Sequence, residues 1–107
     1  MAVLYLTDDN FEKETLNNKG IMLVDFWATW CPPCRMLGPI IEEVAKETGD
    51  KYKIGKVDVD QANETASKHS IMSVPTMIIF KDGQEVDRLV GARPKEEIIE
   101  TLEKYNK

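Results

Sequence analysis

Residues 21–34 of the chain, IMLVDFWATWCPPC, carry most of the information about its fold. They begin with a nearly continuous apolar run from Ile21 to Ala28, which is typical of a strand buried on both faces, as parallel sheets require. They end at Cys31 and Cys34, and from Cys34 to about Thr48 apolar residues recur at helical spacing. The stretch therefore predicts a buried strand followed by a helix, with both cysteines at the junction.

The rest of the chain alternates between strand and helix patterns with short breaks. Strands are predicted at 3–6, 21–28, 53–59, 77–80 and 85–90, and helices from the capping segment 7–10 to about 17, at 34–48, near 60–69 and from Pro94 onward. The Asp82-Gly83 pair indicates a tight antiparallel hairpin between the last two strands. This order predicts an α/β fold whose mixed central sheet of about five strands has helices on both faces.

Length and charge limit the classes of protein to consider. The 107 residues are 42% hydrophobic and 31% charged, a balance that predicts one domain spanning residues 1–107. There are 14 Lys and Arg against 19 Asp and Glu, a net charge of −5, with no basic stripe for nucleic acid. Neither a secretory signal nor a membrane-spanning run is recognisable. We expect a cytoplasmic monomer that binds neither nucleic acid nor membrane.

The spacing of the two cysteines suits redox chemistry. Residues three apart at a helix start lie on one face, so the two sulfurs can form a disulfide with little backbone movement. Unpaired N–H groups and the helix dipole favour a thiolate at Cys31, and a thiolate is the species that attacks disulfides. A bridge closing a loop of about four residues removes little entropy from the unfolded chain, so stability is not its main purpose.

Two other interpretations of the pair stay open at this point. A structural zinc site needs about four ligands, whereas the chain has two cysteines and a single histidine, His69, which we expect at the surface. An inert structural disulfide is disfavoured in a cytoplasmic protein. We therefore predict no metal and no bound cofactor, and a redox-active disulfide between Cys31 and Cys34.

Asp25 interrupts the apolar strand that leads to the cysteines. An ionised carboxylate in such surroundings is costly, so its pKa should rise unless a cation lies nearby. A carboxyl that holds its proton near neutral pH suits acid–base catalysis. The structural alternative is a carboxylate satisfied by hydrogen bonds.

Six short segments stand out along the chain: VDFWA at 24–28, WC-x-PC at 30–34, KVD at 56–58, VPT at 74–76, DG at 82–83 and VGA at 90–92. In this order and at these spacings, they resemble the thioredoxin family over essentially the whole length of the chain. The resemblance implies a thioredoxin fold and a thiol–disulfide oxidoreductase that reduces protein disulfides. It also implies a thioredoxin reductase and disulfide-containing client proteins as partners.

The resemblance further implies roles for individual residues. Cys31 would attack the client disulfide, Cys34 would resolve the mixed disulfide, and Asp25 would serve as acid and base for Cys34. Lys56 would pair with Asp25 and partly oppose the rise in its pKa, so the sequence leaves the sign of the net shift open. The family also implies a cis peptide bond before Pro75. It implies a client-binding groove formed by Trp30, Val74, Pro75, Gly91 and Ala92. Trp27, Pro32 and Pro33 would be structural residues of the site.

Pro32 departs from the family pattern, which usually has glycine at this position. Two successive prolines should stiffen the loop between the cysteines, which can shift the redox potential in either direction. The redox potentials of members of this fold span roughly −270 to −120 mV.

Two alternative functions stay open. One is a specialised redox carrier, oxidant or isomerase with a shifted potential. The other is a binding module whose groove recruits a partner without electron transfer. Arg35 and Met72 also differ from common family residues beside the site.

Overall fold

A computed structural model describes residues 3–106 of the chain. Its strands are β1 (Leu4–Leu6), β2 (Ile21–Trp27), β3 (Lys53–Asp58), β4 (Thr76–Lys81) and β5 (Gln84–Val90). Its α-helices are α1 (Pro32–Thr48), α2 (Asn63–Lys68) and α3 (Lys95–Tyr105), and a short π-helical segment, Glu12–Leu16, precedes β2. The order of elements is the predicted one, and the α/β fold class is confirmed.

The described strands form one mixed five-stranded sheet in the order β1-β3-β2-β4-β5. Strand β3 runs parallel to both β1 and β2, whereas β4 is antiparallel to β2 and β5 is antiparallel to β4. Strand β2 lies at the centre, so it has a hydrogen-bonded neighbour on each side and a helical layer on each face. This position explains the nearly continuous apolar run of its sequence.

Each face of the sheet carries its own hydrophobic core. On one face α1 and α3 cover the sheet, and the fully buried side chains there include Leu23, Leu37, Ile41, Ile98 and Leu102. On the other face α2 and the segment around the π-helix cover it, and the buried side chains include Phe11, Val24, Phe26, Ala66, Ile78 and Phe80. The prediction of helices on both faces is therefore confirmed.

Helix α1 begins two residues before the predicted start at Cys34. Cys31 is extended, with φ −102° and ψ 107°, and its sulfur accepts the N–H of Cys34 at 3.2 Å. Pro32 and Pro33 then occupy the first helical turn, where a missing N–H costs nothing because that turn has no internal partner for it. Helix α3 begins one residue later than predicted, because Pro94 is extended and precedes the helix instead of lying in its first turn.

The predicted hairpin joins β4 to β5. Its two turn residues, Asp82 and Gly83, have φ of 52° and 85°, the left-handed values that a two-residue hairpin turn requires. The turn is attached to the start of β2, because the Asp82 carboxylate accepts the Gly20 N–H at 2.7 Å and the Asp82 N–H donates to the Gly20 carbonyl at 2.9 Å. The hairpin prediction is confirmed.

The expectation of a surface position for His69 is wrong. Its half-buried imidazole packs against the rings of Phe11, Phe26 and Phe80, at centroid distances of 4.9, 6.1 and 5.8 Å. Burial lowers the pKa of this imidazole, because it penalises the charged form. Three aromatic residues from distant parts of the sequence create this environment, so the polar residues around His69 gave no sign of it.

Candidate active site

Cys31 and Cys34 form a disulfide at the N-terminal end of α1, with their Cα atoms 5.2 Å apart. Each residue is only 3% exposed. The Cys31 sulfur accepts the N–H of Cys34 and lies at the positive end of the helix dipole. Both features stabilise negative charge on this sulfur once the disulfide is reduced. The local geometry therefore suits Cys31 to be the thiolate of the pair.

The loop before β4 lies directly against the disulfide. The Val74–Pro75 peptide bond is cis, as the resemblance implies, and the Val74 carbonyl oxygen is 3.6 Å from the Cys31 sulfur. Gly91 joins the site through its backbone, since its N–H donates to the Pro75 carbonyl at 2.8 Å. The next residue, Ala92, is exposed. The Val74 loop thus lies against the sulfur, and the segment at Gly91 is hydrogen-bonded to that loop.

A small surface groove of about 160 Å³ opens beside the cysteines. Two of its lining side chains are strongly exposed, Trp30 at 64% and Met72 at 92%. The Trp30 indole N–H donates to the Asp60 carboxylate at 2.8 Å, which fixes the orientation of the ring. The remaining lining residues are Val59, Ile71, Ser73 and Val74. Of the lining set, sequence reasoning missed Val59, Ile71 and Ser73, for which no local signal exists because the fold alone brings them to the groove.

Asp25 is completely buried in the middle of β2. It is paired in register with Lys56 of β3 and Met77 of β4, and it shares its face of the sheet with Leu23, the face that α1 covers. Neither carboxylate oxygen has a protein hydrogen-bond partner among the described residues. Burial raises the pKa of Asp25 from 3.8 to about 7, and the positive charge of Lys56 opposes part of this rise.

Lys56 acts on Asp25 through space and not through a hydrogen bond. Its ammonium lies 4.8 Å from the centroid of the Trp27 ring, a cation–π contact. The Trp27 indole N–H is itself buried and has no hydrogen-bond partner in the part of the chain that the structure describes. Trp27 packs beside the cysteines and also contacts Lys56, whose charge acts on Asp25.

The outer side of the cysteine loop is exposed. Pro32, Pro33 and Arg35 all face solvent, and the Arg35 guanidinium donates to the Thr29 carbonyl at 3.0 Å. Between residues 3 and 106, no group of three or more His, Cys, Asp or Glu side chains is arranged to hold a metal ion. None of the described helices is both long enough and apolar enough to cross a membrane.

A disulfide at a helix start, a buried carboxyl with a raised pKa and an adjacent apolar groove define a thiol–disulfide oxidoreductase. A protein-family model described as Thioredoxin matches residues 2–104. A thioredoxin of Staphylococcus aureus is 49% identical over 105 residues, and one of Bacillus subtilis is 48% identical over the same length. Each alignment covers 98% of this chain and 99% of the relative. The chain belongs to the thioredoxin family, and its activity is the reduction of protein disulfides by dithiol–disulfide exchange.

Proposed function

We propose that Cys31 is the nucleophile of this reductase and that Cys34 is its resolving residue. The supporting observation is the asymmetry of the two sulfurs. Cys31 lies at the N-cap, where its sulfur accepts the N–H of Cys34 at 3.2 Å and lies 3.6 Å from the Val74 carbonyl beside the groove. A thiolate at this position is stabilised by the helix and lies next to any client held in the groove.

The proposed reaction has two exchange steps. The Cys31 thiolate attacks one sulfur of a client disulfide, which forms a mixed disulfide and releases the other client sulfur as a thiolate. Cys34 then loses its proton and attacks the Cys31 sulfur. The Cys31–Cys34 disulfide forms, the second client thiolate leaves, and the client has gained two electrons.

Asp25 is proposed to take the proton of Cys34 in the second step. A general base works best when its pKa is close to the operating pH, and burial raises the pKa of Asp25 to about 7. Its position under α1, on the face that carries the cysteine helix, supports this role. Lys56 would tune the base, because its charge favours the ionised form of Asp25.

Client binding is proposed to use the groove and the backbone of the loop before β4. Trp30 and Val74 line the groove, Pro75 keeps Val74 against the Cys31 sulfur, and Gly91 is bonded to the Pro75 carbonyl. Ala92 extends this surface with an exposed apolar side chain. An extended client segment would bind the Val74 backbone as an added strand, which is a common mode of peptide recognition.

The biological setting is proposed from the family. A thioredoxin reductase would return Cys31 and Cys34 to the dithiol form, and disulfide-containing proteins would be the clients. We propose that the chain works as a cytoplasmic monomer whose residues 1–107 form one domain. The net charge of −5 fits protein partners better than nucleic acid.

Insulin reduction by dithiothreitol tests the assignment of the two cysteines. The wild-type chain should accelerate the reaction, and Cys31→Ser should abolish the acceleration because it removes the sulfur that the helix start stabilises as a thiolate. Cys34→Ser is the matched variant: when it is reduced, freed of dithiothreitol and mixed with insulin, it should still attack and accumulate as a mixed disulfide visible by mass spectrometry. A Cys31→Ser variant that keeps its activity, or a Cys34→Ser variant that traps no client, would contradict the assigned roles.

A further inference from the structure

We propose that Met72 is a methionine-oxidation site through which hydroperoxides weaken client binding without consuming the cysteines. The effect on clients rests on the proposed function, whereas the oxidation itself does not. Met72 lines the groove beside the disulfide and is 92% exposed. A fully accessible thioether in a client-binding surface is open both to oxidants and to the client.

The methionines of the described chain fall into two groups. Met22 and Met77 are completely buried at the centre of the sheet. Met36, on α1, is 73% exposed, and Met72 is the more exposed of the two surface methionines. Met72 but not Met36 is among the residues that line the groove. Oxidant should therefore reach both surface thioethers, but only modification of Met72 should alter the groove.

The chemistry balances with a hydroperoxide as the oxidant. The thioether sulfur of Met72 takes one oxygen atom from hydrogen peroxide, loses two electrons and becomes a sulfoxide, while the peroxide is reduced to water. In the disulfide form of the chain, neither cysteine offers a thiolate that would compete for the peroxide. The step can be reversed by methionine sulfoxide reductases, which draw two electrons from a dithiol and release the oxygen as water.

Oxidation changes the character of the groove. A methionine thioether is apolar, flexible and polarisable, so it adapts to the apolar side chains of different partners. The sulfoxide is polar and carries a strong hydrogen-bond acceptor, which must lose water when an apolar client side chain covers it. Oxidation of Met72 leaves the other groove residues, among them Trp30, Ile71 and Val74, unchanged. Binding of clients should weaken while the exchange chemistry at Cys31 is preserved.

The test begins with the full chain in its disulfide form, treated with hydrogen peroxide and then with catalase. Peptide mass spectrometry should find an added oxygen on Met36 and Met72 and none on Met22 or Met77. In the insulin assay, kcat/KM of the treated wild type should fall about five-fold through KM, equivalent to about 1 kcal/mol. Treatment with the two sulfoxide reductases and dithiothreitol should restore the starting value.

Each variant is compared with itself before and after peroxide. Met36→Leu should lose as much kcat/KM as the wild type, whereas Met72→Leu should lose none, because leucine has no sulfur to oxidise. An unmodified Met72 beside a modified Met36, or an equal loss in Met72→Leu, would overturn the proposal. A wrong reductase assignment would give a different result, because the untreated wild type would then not accelerate insulin reduction. The peptide map would still decide whether Met72 is oxidised.

Discussion

At the scale of single residues, the environment of Asp25 sets the pKa of its carboxyl group. Two effects act on its pKa in opposite directions: burial among apolar side chains raises it, and the charge of Lys56 lowers it. Burial wins, because Lys56 is half-buried and directs its ammonium over the Trp27 ring instead of bonding the carboxylate. The carboxyl can therefore both hold and release a proton near neutral pH.

Asp25→Asn should stabilise the fold in a pH-dependent way and slow the resolving step. With a pKa of about 7 folded and 3.8 unfolded, wild-type stability falls as pH rises through this interval, because only the unfolded chain loses the proton. The stability advantage of the variant should therefore grow by up to about 4 kcal/mol between pH 4 and pH 8. Urea denaturation of the disulfide form at several pH values measures this, and stopped-flow measurement of mixed-disulfide resolution follows the kinetic effect.

Asp50→Asn is the matched control, since it removes one negative charge at an exposed position. A gain for Asp25→Asn that is the same at pH 4 and pH 8 would show that repacking, and not ionisation, is the cause. Resolution rates that match the wild type across the same pH range would remove Asp25 from the proposed proton transfer.

At the scale of elements, the site depends on how loops are held against the sheet. Arg88 of β5 donates to the carbonyls of His69 at 2.8 Å and Ser70 at 3.3 Å, and it pairs with Glu85 at 2.9 Å. These bonds hold the chain just before the groove residues Ile71 and Met72. Strand β5 of the hairpin thus holds the segment that leads into the groove. The turn of the hairpin contacts the start of β2.

Gly83→Ala should destabilise the hairpin more than an equivalent change at Gly20. Both glycines have a left-handed φ, +85° and +89°, but a Cβ at Gly83 would collide with the backbone carbonyl of Leu16, whereas a Cβ at Gly20 meets nothing within 4 Å. We expect a loss of about 1 kcal/mol for Gly20→Ala and about 3 kcal/mol for Gly83→Ala, measured by urea denaturation. Equal losses would mean that backbone conformation alone, and not the contact with Leu16, controls the turn.

At the scale of the whole molecule, one sheet with a core on each face ties the site to global stability. The Cα radius of gyration is 12.4 Å, close to the roughly 13 Å expected for a compact domain of about this length. Strand β2 belongs to both cores and also leads to Cys31. A loss of packing on either face should therefore be transmitted to the active site.

Ile41→Val and Ile78→Val test whether the chain unfolds as one unit. Both side chains are fully buried, Ile41 in the core under α1 and Ile78 in the core on the opposite face. Each variant should lose about 1 kcal/mol of unfolding free energy. In both variants, tryptophan fluorescence and far-UV circular dichroism should shift to the same lower urea midpoint. A variant that shifts one signal and leaves the other unchanged would contradict the proposed single domain.

The sequence by itself determined the order of elements, the mixed sheet, the hairpin and the position of the cysteine pair. Each rests on interactions between near neighbours in the chain: apolar periodicity, turn residues and helix-start chemistry. Only the tertiary structure decided the sign of the pKa shift at Asp25, the burial of His69 and the meeting of Val59, Ile71 and Ser73 in the groove. The burial of a side chain and the electrostatic potential that acts on it depend on atoms from distant segments of the chain. No local sequence pattern can therefore predict them.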